Sequence, residues 1–134
     1  VLGYTLDTNT LRPVLRGDER ILAKIQSALR EGRAVTLNAL SYYETHRGLL
    51  AAGASRQLER FERLSSELGV LMLDHKALDK ASLIYAELRQ RGALIEDADL
   101  LMAAIAISHD VILVTNNTRH FDRIDELQLN DWLA

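Results

Sequence analysis

A length of 134 residues suits one domain, residues 1–134, and 48% hydrophobic with 26% charged residues excludes a disordered tail. Cysteine is absent, excluding a disulfide scaffold and thiolate chemistry, and no apolar run approaches the roughly 20 residues of a membrane span, so a cytoplasmic address and no membrane partner are expected. The net charge of −3 divides unevenly, +3 over residues 1–65 and −6 over residues 66–134, leaving a basic N-terminal half open to a nucleic-acid or acidic partner.

Residues 1–6 form a short apolar run ending at Asp7 and predict a buried strand. Asp18 then precedes Ile21, Leu22, Ile25 and Leu29 at helical spacing, stopped by Gly32. A second strand is predicted over residues 34–37. Asn38 is placed to cap a helix whose apolar residues are Leu40, Tyr43, Leu49 and Leu50, closed by Gly53. Ser55 opens another, with Leu58, Phe61, Leu64 and Leu68 three or four residues apart. Residues 70–73 predict a third strand, and Asp74 caps a helix whose Leu78, Ala81, Leu83, Ile84 and Leu88 are expected to face inward before Gly92. Asp97 begins an apolar helix rich in small residues that runs through Ile107. A fourth strand follows over residues 111–114, and a last extended piece at residues 128–129. Strands that are continuous apolar runs, alternating with helices, point to a largely parallel sheet covered on both faces. In such sheets ligands bind outside the carboxyl ends of the strands.

The acids fall at that edge. Asp7 ends the first strand in Leu6-Asp7-Thr8-Asn9, and Glu44 lies in the uncharged stretch Leu40-Ser41-Tyr42-Tyr43-Glu44, on the face of its helix's first turn. Asp97 and Asp99 open the next candidate helix, two acids where capping needs one. Thr115-Asn116-Asn117-Thr118 follows the fourth strand. Singly, each has a plain structural reading: Asp97 as a cap, Asn116 and Asn117 as turn residues, Asp7 as the partner of a turn. Together at one sheet edge, the acids repel each other unless a cation joins them. Hard oxygen donors suit Mg²⁺ or Mn²⁺ rather than zinc, and such ions can activate water and stabilise the leaving oxygen of a phosphodiester. No glycine-rich phosphate loop supports nucleoside triphosphate use. His46, His75 and His109 sit in polar or turn contexts, whereas His120 lies near the candidate site. Trp132 reads as a hydrophobic closing residue.

Leu6-Asp7-Thr8-Asn9, the Glu44 helix, Asp97-Ala98-Asp99-Leu100-Leu101-Met102-Ala103-Ala104 and Val114-Thr115-Asn116-Asn117-Thr118-Arg119-His120-Phe121 occur in that order. Over nearly the whole chain the set resembles the motifs of a PIN-domain ribonuclease of the VapC toxin type. The resemblance implies a three-layer α/β/α fold with a mainly parallel sheet of about five strands. It implies an Mg²⁺- or Mn²⁺-dependent endoribonuclease that hydrolyses RNA with metal-activated water, leaving 3′-hydroxyl and 5′-phosphate ends. Asp7, Glu44 and Asp99 carry over as metal-binding catalytic acids, supported by Asp97, Asn117, Thr8, Asn9 and Thr115. Many PIN domains have a fourth acid where Asn117 or His120 stands here, so an amide takes that corner. Arg12, Arg16 and Arg47 become candidates to guide the RNA backbone. The resemblance further implies a homodimer held inactive by a cognate antitoxin. A groove for an antitoxin helix is expected between residues 20–29 and Ser55–Leu68, with Leu58 and Phe61 as its test positions. A catalytically inert PIN-like binding module and a DNA nuclease are the alternatives. A receiver-like phosphoacceptor module is disfavoured because no lysine follows the fourth strand.

Overall fold

The computed structural model describes residues 3–133 and alternates strands with helices along the chain. In order these are β1 (Gly3–Leu6), α1 (Thr8–Leu15), α2 (Glu19–Arg30), β2 (Ala34–Asn38), α3 (Ala39–Ala52), α4 (Ser55–Leu68), β3 (Val70–Leu71), α5 (His75–Gln90), α6 (Asp97–Ser108), β4 (Ile112–Val114), α7 (Thr118–Phe121) and β5 (Leu129–Asn130). All four strand pairings are parallel, in the order β3-β2-β1-β4-β5. The chain therefore winds outward from β1 in one direction through β2 and β3, and in the other through β4 and β5. The switch in winding lies between β1 and β4, where an open parallel sheet leaves a crevice at its carboxyl edge. At that junction Leu6 pairs with Val114, so the segments beginning at Asp7 and Thr115 leave the sheet side by side.

Alternation of side chains along each strand divides the interior into two cores. Val35 and Leu37 of β2 pack with Leu11 and Leu15 of α1, Ile21 and Ile25 of α2, and Phe61 of α4. Leu113 turns to the opposite face and meets Ile84 and Leu88 of α5, Met102 and Ala106 of α6, and Phe121. Its neighbour Val114 returns to the first core. Helices thus cover both faces, giving the three layers that the apolar strand runs predict. Every residue from 102 to 106 of α6 is buried, and the alanines among them allow close approach from both sides. Trp132 is buried against Tyr4 with ring centroids 5.1 Å apart, closing the sheet's end as expected.

Several elements differ from the sequence pattern, each for a local reason. The first strand is described from Gly3, since residues 1 and 2 lie outside the described residues. The third strand stops at Leu71, and the last pairs at Leu129–Asn130. α1 forms although it contains Pro13 and opens on the weak helix formers Thr8, Asn9 and Thr10; burial of Leu11 and Leu15 outweighs that propensity. On α5 the inward stripe is Ala77, Ala81, Ile84 and Leu88, while Leu78 and Leu83 are 45% and 67% exposed, contrary to expectation. On α3 Tyr43 and Leu50 are exposed and the buried positions are Ser41 and Thr45. Phe61 is fully buried, so it belongs to the core and not to a docking groove.

Candidate active site

Asp7 occupies the cap position of α1, and burial leaves it 5% exposed. Its backbone N–H donates to the Val114 carbonyl at 3.0 Å, which carries the β1–β4 pairing one residue past the strand. Its Oδ1 accepts the Thr10 N–H at 2.8 Å, and its Oδ2 accepts the Thr115 hydroxyl at 2.5 Å. Thr10 Oγ1 in turn donates to the Val114 carbonyl at 3.1 Å. Burial pushes the Asp7 carboxyl above its ordinary range; the bonds from Thr115 and Thr10 oppose this, and the nearby charge of Glu44 adds to it.

Glu44 reaches the same place through a network centred on fully buried Asn38. The Asn38 Nδ2 donates to Thr5 Oγ1 and to the Leu6 carbonyl, both at 3.2 Å, while its Oδ1 accepts the Leu40 and Ser41 N–H groups at 3.1 and 3.0 Å. Ser41 Oγ accepts the Asn38 N–H at 3.1 Å, completing a reciprocal cap. One side chain therefore pins the start of α3 to the end of β1, and the next turn places Glu44 over Asp7. Thr8 Oγ1 donates to Glu44 Oε1 at 2.7 Å and fixes the carboxylate.

Asp99 enters from the first turn of α6. Its Oδ2 lies 3.3 Å from His120 Nδ1, and Asn117 Nδ2 lies 3.0 Å from that same nitrogen. The His120–Asp99 contact is an ion pair when the imidazole is protonated, whereas a bare Nδ1 accepts from the Asn117 amide. Burial pushes the Asp99 carboxyl up, His120 pulls it down, and Glu96, Glu44 and Asp7 push it further up. The Asn117 N–H donates to Thr115 Oγ1 at 3.0 Å, linking this corner back to Asp7.

A cavity of about 410 Å³ opens over these groups. Asp7, Glu44 and Asp99 all line it, together with Thr8, Asn9, Asn117, His120, Arg12 and Arg47. Arg16 does not; it faces an adjoining cavity. Asp97 is also excluded, which corrects the expectation that it supports the site. It is exposed and lines a separate depression with Tyr85 and Leu101. Helical residues turn about 100° each, so Asp97 points away from Asp99 while Glu96, three positions before it, shares its side. Glu96 is the acid that lines the cavity. Its spacing from Asp99 was the available signal, obscured because Glu96 sits at the cap position without capping.

The donor set fits a hard divalent cation. Among the described residues no lysine or arginine pairs with Asp7, Glu44, Glu96 or Asp99, although Arg12 and Arg47 share the cavity. A buried carboxylate disfavoured as an anion, facing three further acids, is stabilised by a positive ion. Among the described residues no three acidic or imidazole groups close into a ready-made cage. Mg²⁺ commonly takes one or two carboxylates and retains waters, so an open acid-lined cavity suits it.

The PIN domain family matches residues 4–127. Ribonuclease VapC1 of Methanocaldococcus jannaschii is 33% identical over 98 residues, 73% of this chain and 68% of that protein. Ribonuclease VapC1 of Haemophilus influenzae is 27% identical over 130 residues, 96% of this chain and 97% of that protein. The structure of VapBC-1 from nontypeable Haemophilus influenzae superposes with a TM-score of 0.87 at 25% identity, covering 99% of this chain and 100% of that one.

Proposed function

Because this chain belongs to the PIN domain family, among the VapC ribonucleases, we propose that it is an endoribonuclease toxin of a type II toxin–antitoxin system. The observation that carries the reading is the convergence of Asp7, Glu44, Glu96 and Asp99 on one cavity at the switch in winding. In this reading Asp7, Glu44 and Asp99 hold Mg²⁺ or Mn²⁺. When bound, the ion supplies neutralising charge and acidifies water beside the phosphodiester.

The chain's own groups do the rest. Thr10 and Thr115 hold both Asp7 oxygens, so that carboxylate is oriented before any ligand arrives. Thr8 engages Glu44 Oε1 and leaves Oε2 to accept a proton from the attacking water. A protonated His120 forms an ion pair with Asp99. Arg12 and Arg47 bring positive charge to the cavity's edge, where a phosphate must enter against four acids. Hydrolysis then leaves a 3′-hydroxyl and a 5′-phosphate.

A cognate antitoxin and a second copy of the chain are the proposed protein partners, and the cytoplasm is the proposed compartment. Among the described residues no helix is long and apolar enough to cross a membrane. The groove for an antitoxin helix is assigned to a cavity of about 280 Å³ lined by Val14, Leu22, Leu64, Arg60 and Arg63, between α1–α2 and α4. The test of the activity is incubation of pooled tRNA, rRNA fragments and mRNA, and of a separate DNA pool, with partner-free protein in Mg²⁺, Mn²⁺ or EDTA. Discrete cuts that need the metal support the reading. Cuts in a DNA pool alone, or no cuts in any pool, would overturn it in favour of a DNA nuclease or an inert binding module.

A further inference from the structure

A second cavity, of about 300 Å³, adjoins the acid pocket and shares Arg12, Glu44 and Gly48 with it. Arg16, Thr45 and Gln57 add to its polar lining. Arg12 and Arg16 stand four residues apart at the end of α1, on one face. Among the described residues neither forms an ion pair or a side-chain hydrogen bond. Arg20, Arg33, Arg60, Arg91 and Arg123 have oxygen partners; of the arginines without one among the described residues, Arg12 and Arg16 are the two that line this cavity. Thr45 is 4% exposed, and its Oγ1 is the one buried side-chain polar atom among the described residues without a hydrogen-bond partner. Gly48 lines both cavities, and the space above it is open: a Cβ there would meet nothing within 4 Å. The one acid in the lining, Glu44, is engaged by Thr8 on the neighbouring side.

Two unpaired guanidinium groups, a stranded hydroxyl and an amide ask for an oxyanion. We propose that this cavity binds the RNA phosphate adjacent to the one being cleaved, a subsite that seats the strand across the acids. The assignment rests on the ribonuclease reading. A strand with one phosphodiester at the acids carries its next phosphate one nucleotide along, and this is the donor-rich surface continuous with the acid pocket. A protein carboxylate is the other ligand with matching chemistry.

Binding of a labelled single-stranded oligoribonucleotide in EDTA, followed by fluorescence anisotropy at several salt concentrations, separates these. Each phosphate contact adds about 0.7 to the slope of log affinity against log salt for single strands. Arg16→Gln should lower that slope by about 0.7 and weaken binding about tenfold. Arg16 is exposed, so the variant retains its fold. Thr45→Val should weaken RNA binding several-fold without lowering Tm, because the hydroxyl has no protein partner to lose. Unchanged slope and affinity in both variants, while the wild-type protein binds and cuts RNA, would overturn the subsite alone. An unchanged RNA slope with weakened binding of a hexaglutamate peptide would reassign the cavity to a protein carboxylate, also overturning it. Wild-type protein that neither binds nor cuts RNA would overturn the ribonuclease reading with it.

Discussion

Replacing Asp7 by Asn and by Ala separates its charge from its hydrogen bonds. Both changes remove a buried anion, so that contribution cancels between the two variants. Asn still accepts the Thr10 N–H and caps α1 about as well as Asp, and its amide can donate to Thr115 Oγ1. Ala strands the Thr10 N–H and the Thr115 hydroxyl, both on fully buried residues. At about 1–3 kcal/mol for each unsatisfied buried group, Ala should be less stable than Asn by roughly 2–6 kcal/mol. For a domain of this length that corresponds to a Tm gap of roughly 7–20 °C. Thermal unfolding by circular dichroism in EDTA measures it.

The pH dependence has a definite sign. The folded Asp7 carboxyl is raised above the ordinary 3.8, so the native state holds more protons than the unfolded chain as pH climbs from that value. Metal-free wild-type protein therefore loses stability across that window, and Asp7→Asn has no such step at this position. The advantage of Asn over Asp should grow through the window and then level off. Mg²⁺ at ten times its Kd should return about 1.4 kcal/mol to the wild-type protein and much less to Asp7→Asn. Equal melting of the Asn and Ala variants would refute the hydrogen-bond accounting, and equal Mg²⁺ stabilisation of Asp and Asn proteins would refute the ligand assignment.

Glu96→Gln should reduce metal-dependent cleavage about tenfold, whereas Asp97→Asn should leave it within about twofold, measured as kcat/KM on one RNA; the reverse order would contradict the orientation of α6. Gly48→Ala should stabilise α3 by roughly 0.5–1 kcal/mol in chemical denaturation, since the added methyl meets open space. Leu22→Asp, at a partly exposed groove position, should weaken antitoxin binding without loss of fold, whereas Phe61→Ala should cost about 3–5 kcal/mol of stability. Intact antitoxin affinity in Leu22→Asp would remove the groove assignment.

Local chemistry made much of this molecule legible in the sequence. Asn38, Asp18 and Asp74 cap helices as their positions suggest, because a side-chain oxygen before an apolar periodic run has a defined partner in the next turn. Parallel pairing followed from apolar strand runs, and it brought Asp7, Glu44 and Asp99 to one edge. The rotational phase of helices was harder to read. One residue of offset at the start of α6 decides between Glu96 and Asp97, and no side-chain cap marks the true start. On α5, alternative apolar stripes pass through Leu78 and Leu83 or through Ala77 and Ile84, and contact with α6 selects the second. α3 buries Ser41, and Thr45 one turn later, because the Asn38 cap fixes the helix start, which apolar spacing does not register. α1 exists because Leu11 and Leu15 reach a core assembled from distant residues.

If the converging acids cleave RNA with a divalent ion, Asp99→Asn must abolish the cuts. The variant and the wild-type protein would be compared on the same RNA in Mg²⁺ and Mn²⁺, with matched circular dichroism spectra. Discrete metal-dependent cuts by the wild-type protein that vanish in the folded variant are the predicted result. Cleavage that persists in the variant, or that survives EDTA, would mean that these acids and a divalent ion do not perform the reaction.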